Sequence, residues 1–162
     1  MKISKARIAF LTNHFFEFSY SEDGEEVEPN REAYDSIADP AELHFIADIY
    51  NWDDGTQLLE WIINDPTCDK ATAKMIFWRS QPSYYTTIES EENADWDLDV
   101  YKLLNNIIRN FEENFYQNER IAYDPALDFS AEDLHVEEPN AKWEIPSWMK
   151  EATTGEKLIY EE

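Results

Sequence analysis

Apolar residues recur at helical spacing in three successive segments near the middle of the chain. Residues 39–50 carry a single apolar stripe, and residues 54–64 are apolar over more than half of the helix circumference, which is typical of a central helix. The segment from Asp69 to about Arg79 is mostly apolar as well. Tight turns separate the segments, so the pattern predicts three short antiparallel helices.

Helix start signals precede two of these segments. Asp39 is followed by Pro40 at the first helical position and by Glu42 at the third, a combination that predicts an N-cap. Asp69 is the predicted N-cap of the third helix.

The turn between the first two helices reads NWDDG, residues 51–55. As a structural turn, Asp54 caps the second helix, Gly55 opens it and Trp52 fills a gap between helices. As a functional site, Asp53 and Asp54 would be a carboxylate pair for a divalent cation. A calcium loop needs a bidentate glutamate six residues after its glycine, but Trp61 stands there. The sequence therefore favours the structural interpretation.

The remaining segments are less regular. Residues 5–20 are rich in aromatic side chains and fit either a helix or a strand. Residues 21–32 predict an acidic loop, and residues 95–117 predict the longest helix. The predicted inner face of that helix consists of Leu98, Tyr101, Leu104, Ile108, Phe111 and Phe115.

From Asp124 onward the chain is acidic and interrupted by prolines. Its apolar side chains still need burial, which predicts an irregular acidic arm, residues 124–162, packed on the helices; the alternative is a linker with a free tail. These side chains are Trp143, Ile145, Trp148 and Met149. We predict one mainly α domain over residues 1–162, with a helical core at about 39–80.

Charge narrows the possible partners. The 162 residues include 36 acidic and 13 basic side chains, for a net charge of -23, yet 43% of them are hydrophobic. A disordered acidic tail would lack those apolar residues. The charge repels nucleic-acid phosphates and anionic membranes, which leaves a basic protein as the expected partner. No apolar run is long enough for a signal-peptide core or a membrane span, and Cys68 is the only cysteine, so we expect a soluble cytoplasmic protein.

Three acidic clusters stand out, at residues 22–32, 89–99 and 124–138. The second is the best candidate for partner binding, because its carboxylates surround an aromatic residue, Trp96. Its acidic members are Glu89, Glu91, Glu92, Asp95, Asp97 and Asp99. In the plainer interpretation, Trp96 faces the core and the acids form the solvated start of a helix.

Signatures of catalysis are weak. His44 and Asp48 lie four residues apart on one helix face, but the sequence offers no third metal ligand at a known spacing. A hydrogen-bonded, half-buried His44 is the expected arrangement. Motifs for nucleophilic catalysis and glycine-rich phosphate binding are missing. We therefore expect no enzyme activity, no metal and no cofactor.

Residues 39–80 resemble a bacterial family, domain of unknown function 4274. The resemblance is carried by Leu43-His44, by the NWDDG turn at residues 51–55 and by the segment CDKATAKMIFW, residues 68–78. It implies a small helical unit without established chemistry, in a context close to bacterial polymorphic toxins, and hence an immunity or antitoxin role.

Three functions remain as hypotheses. The first is an immunity-type protein that binds and neutralises a basic toxin, such as a nuclease, through an acidic surface. The second is a non-catalytic adaptor or housekeeping scaffold whose acidity serves solubility. The third is a metal-dependent enzyme built on paired carboxylates.

Overall fold

The computed structural model describes residues 1–19, 23–25 and 27–162. Within these residues the fold is mainly α-helical, as predicted, with one two-stranded sheet. The elements are β1 (Lys2–Ile3), α1 (Lys5–Phe15), α2 (Arg31–Asp35), α3 (Pro40–Ile49), α4 (Gln57–Ile63), α5 (Lys70–Arg79), α6 (Pro82–Tyr85), α7 (Leu98–Glu112) and β2 (Ile159–Tyr160).

Helices α3, α4, α5 and α7 enclose the hydrophobic core. All four aliphatic side chains of α4 are fully buried, in agreement with its predicted central position. Helix α5 buries every residue except its two ends, and Cys68 lies just before it with no exposed surface. The same core includes residues from Ile3 to Met149, whereas the single-domain division of the chain stays a prediction.

Asp39 and Asp69 are the N-caps of the helices that the sequence analysis predicted them to cap. Asp39 is the N-cap of α3 and accepts a hydrogen bond from the Ala41 N–H at 3.0 Å. Asp69 is the N-cap of α5 and accepts from the Ala71 N–H at 2.9 Å. Because an N-cap satisfies a backbone donor that the helix itself cannot, both residues define where their helices start.

The prediction for Asp54 was wrong. Residues Trp52–Asp54 form a 3-10 turn capped by Asn51, and Gly55, at φ 82°, separates this turn from α4, whose N-cap is Thr56. Asp54 instead accepts a hydrogen bond from the Ser19 hydroxyl. The left-handed backbone at Gly55 explains the difference, because a helix cannot continue through it.

The other residues of the NWDDG turn make local contacts or face solvent. Trp52 is half-buried and packs edge-to-face on Tyr50, with ring centroids 6.3 Å apart. The Tyr50 hydroxyl donates to the Gly55 carbonyl, which closes the turn. Asp53 is exposed to solvent. The two aspartates therefore differ in environment.

For residues 5–15, which fitted either a helix or a strand, the structure shows a helix. Residues Lys5–Phe15 form α1, with Leu11 and Phe15 fully buried, and Ser4 as N-cap. The acidic loop after it ends earlier than predicted, because Asn30 caps the short helix α2. Of the carboxylates assigned to that loop, Glu22 and Glu26 lie outside the described residues.

Helix α7 is shorter than the predicted range of 95–117. It begins at Leu98, after a 3-10 turn that contains Asp95 at φ 48°, and it ends at Glu112, shortly before Asn114 at φ 56°. Left-handed residues at both ends interrupt the helical hydrogen bonding. Its buried face also differs from the prediction: Tyr101 and Leu104 are buried, but the other members are Leu103, Ile107 and Asn110.

The acidic arm packs on the helices, so the free-tail alternative was wrong. The Lys74 ammonium donates to the carbonyls of Trp148 and Glu151, both at 2.8 Å, and the Trp78 indole N–H donates to the Met149 carbonyl at 2.8 Å. Met149 is fully buried. At its end the arm forms β2, which pairs in parallel with β1. Throughout the described residues, each helix is too short or too polar to cross a bilayer.

Candidate functional site: an acidic surface around Trp96

The loop of residues 89–99 displays its tryptophan to solvent. The loop contains two 3-10 turns, Glu91–Asn93 and Asp95–Asp97, and the second replaces the first turn of the predicted helix. The side chain of Trp96 is 100% exposed. The plainer interpretation, in which Trp96 faces the core, was therefore wrong. The backbone of Asp95, at φ 48°, redirects the chain immediately before this residue.

The base of the loop is held firmly. Ala94 is buried against Ile88 and Tyr101 in a small separate cluster. The Tyr101 hydroxyl donates to the Glu89 carbonyl at 3.3 Å, and the Tyr84 hydroxyl donates to the Asp97 carboxylate at 2.7 Å. The hydrogen bond from Tyr84 orients Asp97, and in turn raises the pKa of Tyr84. An exposed indole is thus presented on a fixed support.

The carboxylates around Trp96 are available to a partner. All six candidate acids except Asp97 are exposed, and Asp97 is half-buried. Among the described residues, none of the six takes part in an ion pair. Exposed like charges at this density repel one another, so an opposite charge brought alongside them is favoured.

A cleft of about 460 Å³ joins this loop to the first acidic cluster. Glu28 of that cluster, Asp54, Glu60 of α4 and Asp99 of the loop all line it. Burial raises the pKa of Glu60, and the nearby charge of Asp99 raises it further. Oδ2 of Asp54 is buried and has no hydrogen-bond partner among the residues that the structure describes. The fold therefore brings two sequence clusters together at one acidic cleft.

Helix α6 connects the loop to the third acidic cluster. Its Tyr84 binds Asp97 of the loop, while its Ser83 donates from both N–H and hydroxyl to Glu132 of the arm. The arm then crosses next to the loop, where the Trp143 indole N–H donates to the Ile88 carbonyl at 3.1 Å. A cleft of about 390 Å³ lies between α6 and the arm, and its acidic lining residues are Glu132, Asp133, Glu137, Glu138 and Glu144.

Sequence reasoning missed two members of this surface, Glu60 and Tyr84. Glu60 is the only charged residue in α4, and a single charged position on a largely apolar helix marks its exposed side. Tyr84 lies in a segment that reads as a helix breaker, and no sequence signal pairs it with Asp97.

His44 belongs to a buried polar network on another part of the fold. Its Nδ1 lies 2.9 Å from the Thr72 hydroxyl, and only 7% of the residue is exposed. Burial lowers the pKa of His44 to about 4, although the charge of Asp48 acts in the opposite direction. Asp48 pairs with Arg79 at 2.8 Å. In the described part of the chain, no group of three potential ligands could hold a metal ion.

This buried histidine makes stability depend on pH. The unfolded chain holds His44 near its ordinary pKa of about 6.5, whereas the folded state lowers it to about 4, so protonation favours unfolding. The contribution of neutral His44 to the free energy of unfolding is full above pH 6.5, and it falls as the pH drops toward 4. By pH 5, we expect the wild type to lose about 2 kcal/mol more than His44→Gln, which retains a hydrogen-bonding group for Thr72.

Urea unfolding of both proteins at pH 7.5 and pH 5 measures this difference. Carboxylate titration affects both proteins alike and cancels in the comparison. Parallel losses of stability in wild type and variant would contradict the prediction.

The fold and site together define a small, mainly α-helical domain with an acidic, aromatic-centred surface. Residues 38–116 match the model of a family described as Domain of unknown function (DUF4274). The match confirms the resemblance and extends it beyond residue 80, through α6 and the loop around Trp96, to the end of α7. Comparisons with curated proteins and with solved structures found no match.

Proposed function

We propose that this chain is an immunity-type protein, which binds a basic bacterial toxin in the cytoplasm and blocks it through the acidic surface around Trp96. The exposure of Trp96 among carboxylates that form no ion pair within the described part of the chain supports this function most directly. Tryptophan is enriched among residues that dominate binding energy, especially where surrounding polar groups exclude water.

Charge complementarity links the surface to this class of partner. A nuclease toxin must carry lysine and arginine side chains to hold nucleic-acid phosphates. Carboxylates on a fixed surface can pair with those same lysine and arginine side chains and so prevent the toxin from binding its substrate. The opposite charges also speed the encounter, with association rates that reach ~10⁸ M⁻¹s⁻¹ or more at low salt. Rapid capture suits a protein that must neutralise a toxin made in the same cell.

Binding to the product of the neighbouring gene tests this function. We expect an association rate that falls steeply with ionic strength, and a dissociation constant that rises about 30-fold in Trp96→Ala. Reversal of Glu91 and Glu92 to lysine should slow association at low salt by about tenfold or more. The matched control is the reversal of Glu112 and Glu113, an exposed adjacent pair outside the loop, which changes the net charge by the same amount.

Each alternative function gives a different result. Equal association rates for both reversals indicate that acidity serves only solubility, as in the adaptor hypothesis. A stoichiometric Mg²⁺ or Mn²⁺ site in calorimetry indicates the carboxylate enzyme. A salt-independent rate, or no binding at all, contradicts the proposed function.

A further inference from the structure

Two large apolar side chains project into solvent from one short stretch of the arm. Leu127 is 75% exposed and Phe129 is 105% exposed, relative to a fully exposed residue. Neither belongs to the surface around Trp96 described above. Most other large apolar side chains in the described residues pack against the core. Two such residues within three positions make this stretch a candidate interaction surface, whereas singly scattered exposed apolar side chains are ordinary.

The stretch is fixed in place by the residue between them. Asp128 accepts hydrogen bonds from Arg79 Nε at 2.8 Å, from the Tyr123 hydroxyl at 2.8 Å and from the Ser130 N–H at 3.0 Å. Asp124 caps the preceding 3-10 turn through the Ala126 N–H at 3.0 Å. Because the backbone is anchored at these points, both side chains start from a fixed position, and little backbone entropy is lost when they bind.

The surroundings combine concave space with negative charge. Leu127 borders a cleft of about 320 Å³ that Lys157 also lines, and Phe129 borders another of about 430 Å³. Asp128 lines both clefts and is paired with Arg79. The further acids are Asp124 beside the first cleft, and beside the second Glu132 and Asp133, which also line the cleft between α6 and the arm. None of these three carboxylates forms an ion pair with a residue that the structure describes.

We propose that Leu127 and Phe129 anchor a second docking surface, for a basic protein that offers an apolar pocket bordered by lysine or arginine side chains. A second copy of this chain is disfavoured, because each copy carries a net charge of -23. Anionic lipid surfaces are repelled for the same reason. The surface rests on its own observations and does not require the immunity function.

Photo-crosslinking in the native host tests this surface. The chain carries benzoylphenylalanine in place of Phe129, or in place of the exposed Gln117 as a control. We expect one protein rich in lysine and arginine to crosslink at position 129 and not at position 117. In binding assays with that purified protein, the double variant Leu127→Ser/Phe129→Ser should raise the dissociation constant about 100-fold. The single variant Val136→Ser, also exposed in the arm, should change it less than about threefold.

The crosslink at position 129 should persist in Trp96→Ala, which separates this surface from the one proposed for toxin binding. The second docking surface is overturned if no protein crosslinks at position 129, or if the crosslinked species is lipid or a second copy of this chain. Equal dissociation constants for the wild type and the double variant overturn it as well.

Discussion

Replacement of Arg79 by methionine is expected to destabilise the fold by about 3–5 kcal/mol, the cost of leaving buried charges without their partner. The Arg79 side chain is 16% exposed and binds Asp128, which is 8% exposed, through both Nε and Nη2. Its Nη1 binds the carboxylate and the carbonyl of Asp48 at 2.8 and 3.1 Å. One guanidinium therefore joins α5, the end of α3 and the arm.

The pKa of Asp128 reflects the same interaction. Burial alone raises it, but the hydrogen bonds from Arg79 and Tyr123 outweigh burial and hold the pKa below its usual range. Without Arg79, this carboxylate must be buried with its negative charge unpaired or take up a proton. Either outcome costs folding free energy.

Urea unfolding measures the effect, with Lys2→Met as the control. Lys2 also forms an ion pair, with Glu161 at 2.6 Å, but its side chain is 60% exposed, so we expect a loss below about 1 kcal/mol. The double variant Arg79→Met/Asp128→Asn should recover part of the loss, because it removes one of the orphaned charges. An Arg79→Met protein no less stable than Lys2→Met would contradict the prediction.

Replacement of Asp69 by alanine is expected to cost about 3 kcal/mol, because it leaves three backbone donors, two of them buried and one partly buried, without their acceptor. Asp69 has no exposed surface. One carboxylate oxygen caps α5, while the other accepts from the N–H groups of Arg120 and Ile121 at 2.6 and 3.3 Å. This residue therefore starts a helix and fastens the chain segment that follows α7.

Asp39→Ala is the matched control, because Asp39 is an exposed N-cap of α3 with a single backbone donor. The loss of an isolated cap costs about 1 kcal/mol. The difference between the two variants in urea unfolding measures the bonds to Arg120 and Ile121. Hydrogen exchange of those two amides should also accelerate in Asp69→Ala. Equal losses in both variants would show that the cap alone accounts for the role of Asp69.

Local signals in the sequence were enough to predict most of the helical core. The helices α3 and α5 follow from their caps and apolar spacing, and α4 follows from its nearly continuous apolar surface. These features act within one or two turns of chain and need no knowledge of tertiary contacts. The error at Asp54 arose because several residues before α4 could serve as its cap, and only the backbone at Gly55 decides between them.

The candidate site was only partly predictable, because it depends on backbone direction and distant contacts. The acidic cluster around Trp96 is evident in the sequence, but the direction of the indole depends on the left-handed conformation of Asp95. The contribution of Glu60 to the cleft with Asp99 depends on how α4 lies beside α7. The hydrogen bonds of Arg79 reach partners up to 49 positions away along the chain, and no local sequence pattern predicts them.

The docking of the arm bears on how the chain acquires its structure during synthesis. When α5 leaves the ribosome, the Lys74 ammonium and the Trp78 indole lack their native acceptors and are hydrated, because residues 148–151 have not yet been made. Until those residues are made, the surface of the helical unit that the arm later covers, including Lys74 and Trp78, stays exposed. Native packing around α5 is therefore completed only after residues 148–151 have been translated, and until then the nascent protein exposes apolar surface that favours aggregation.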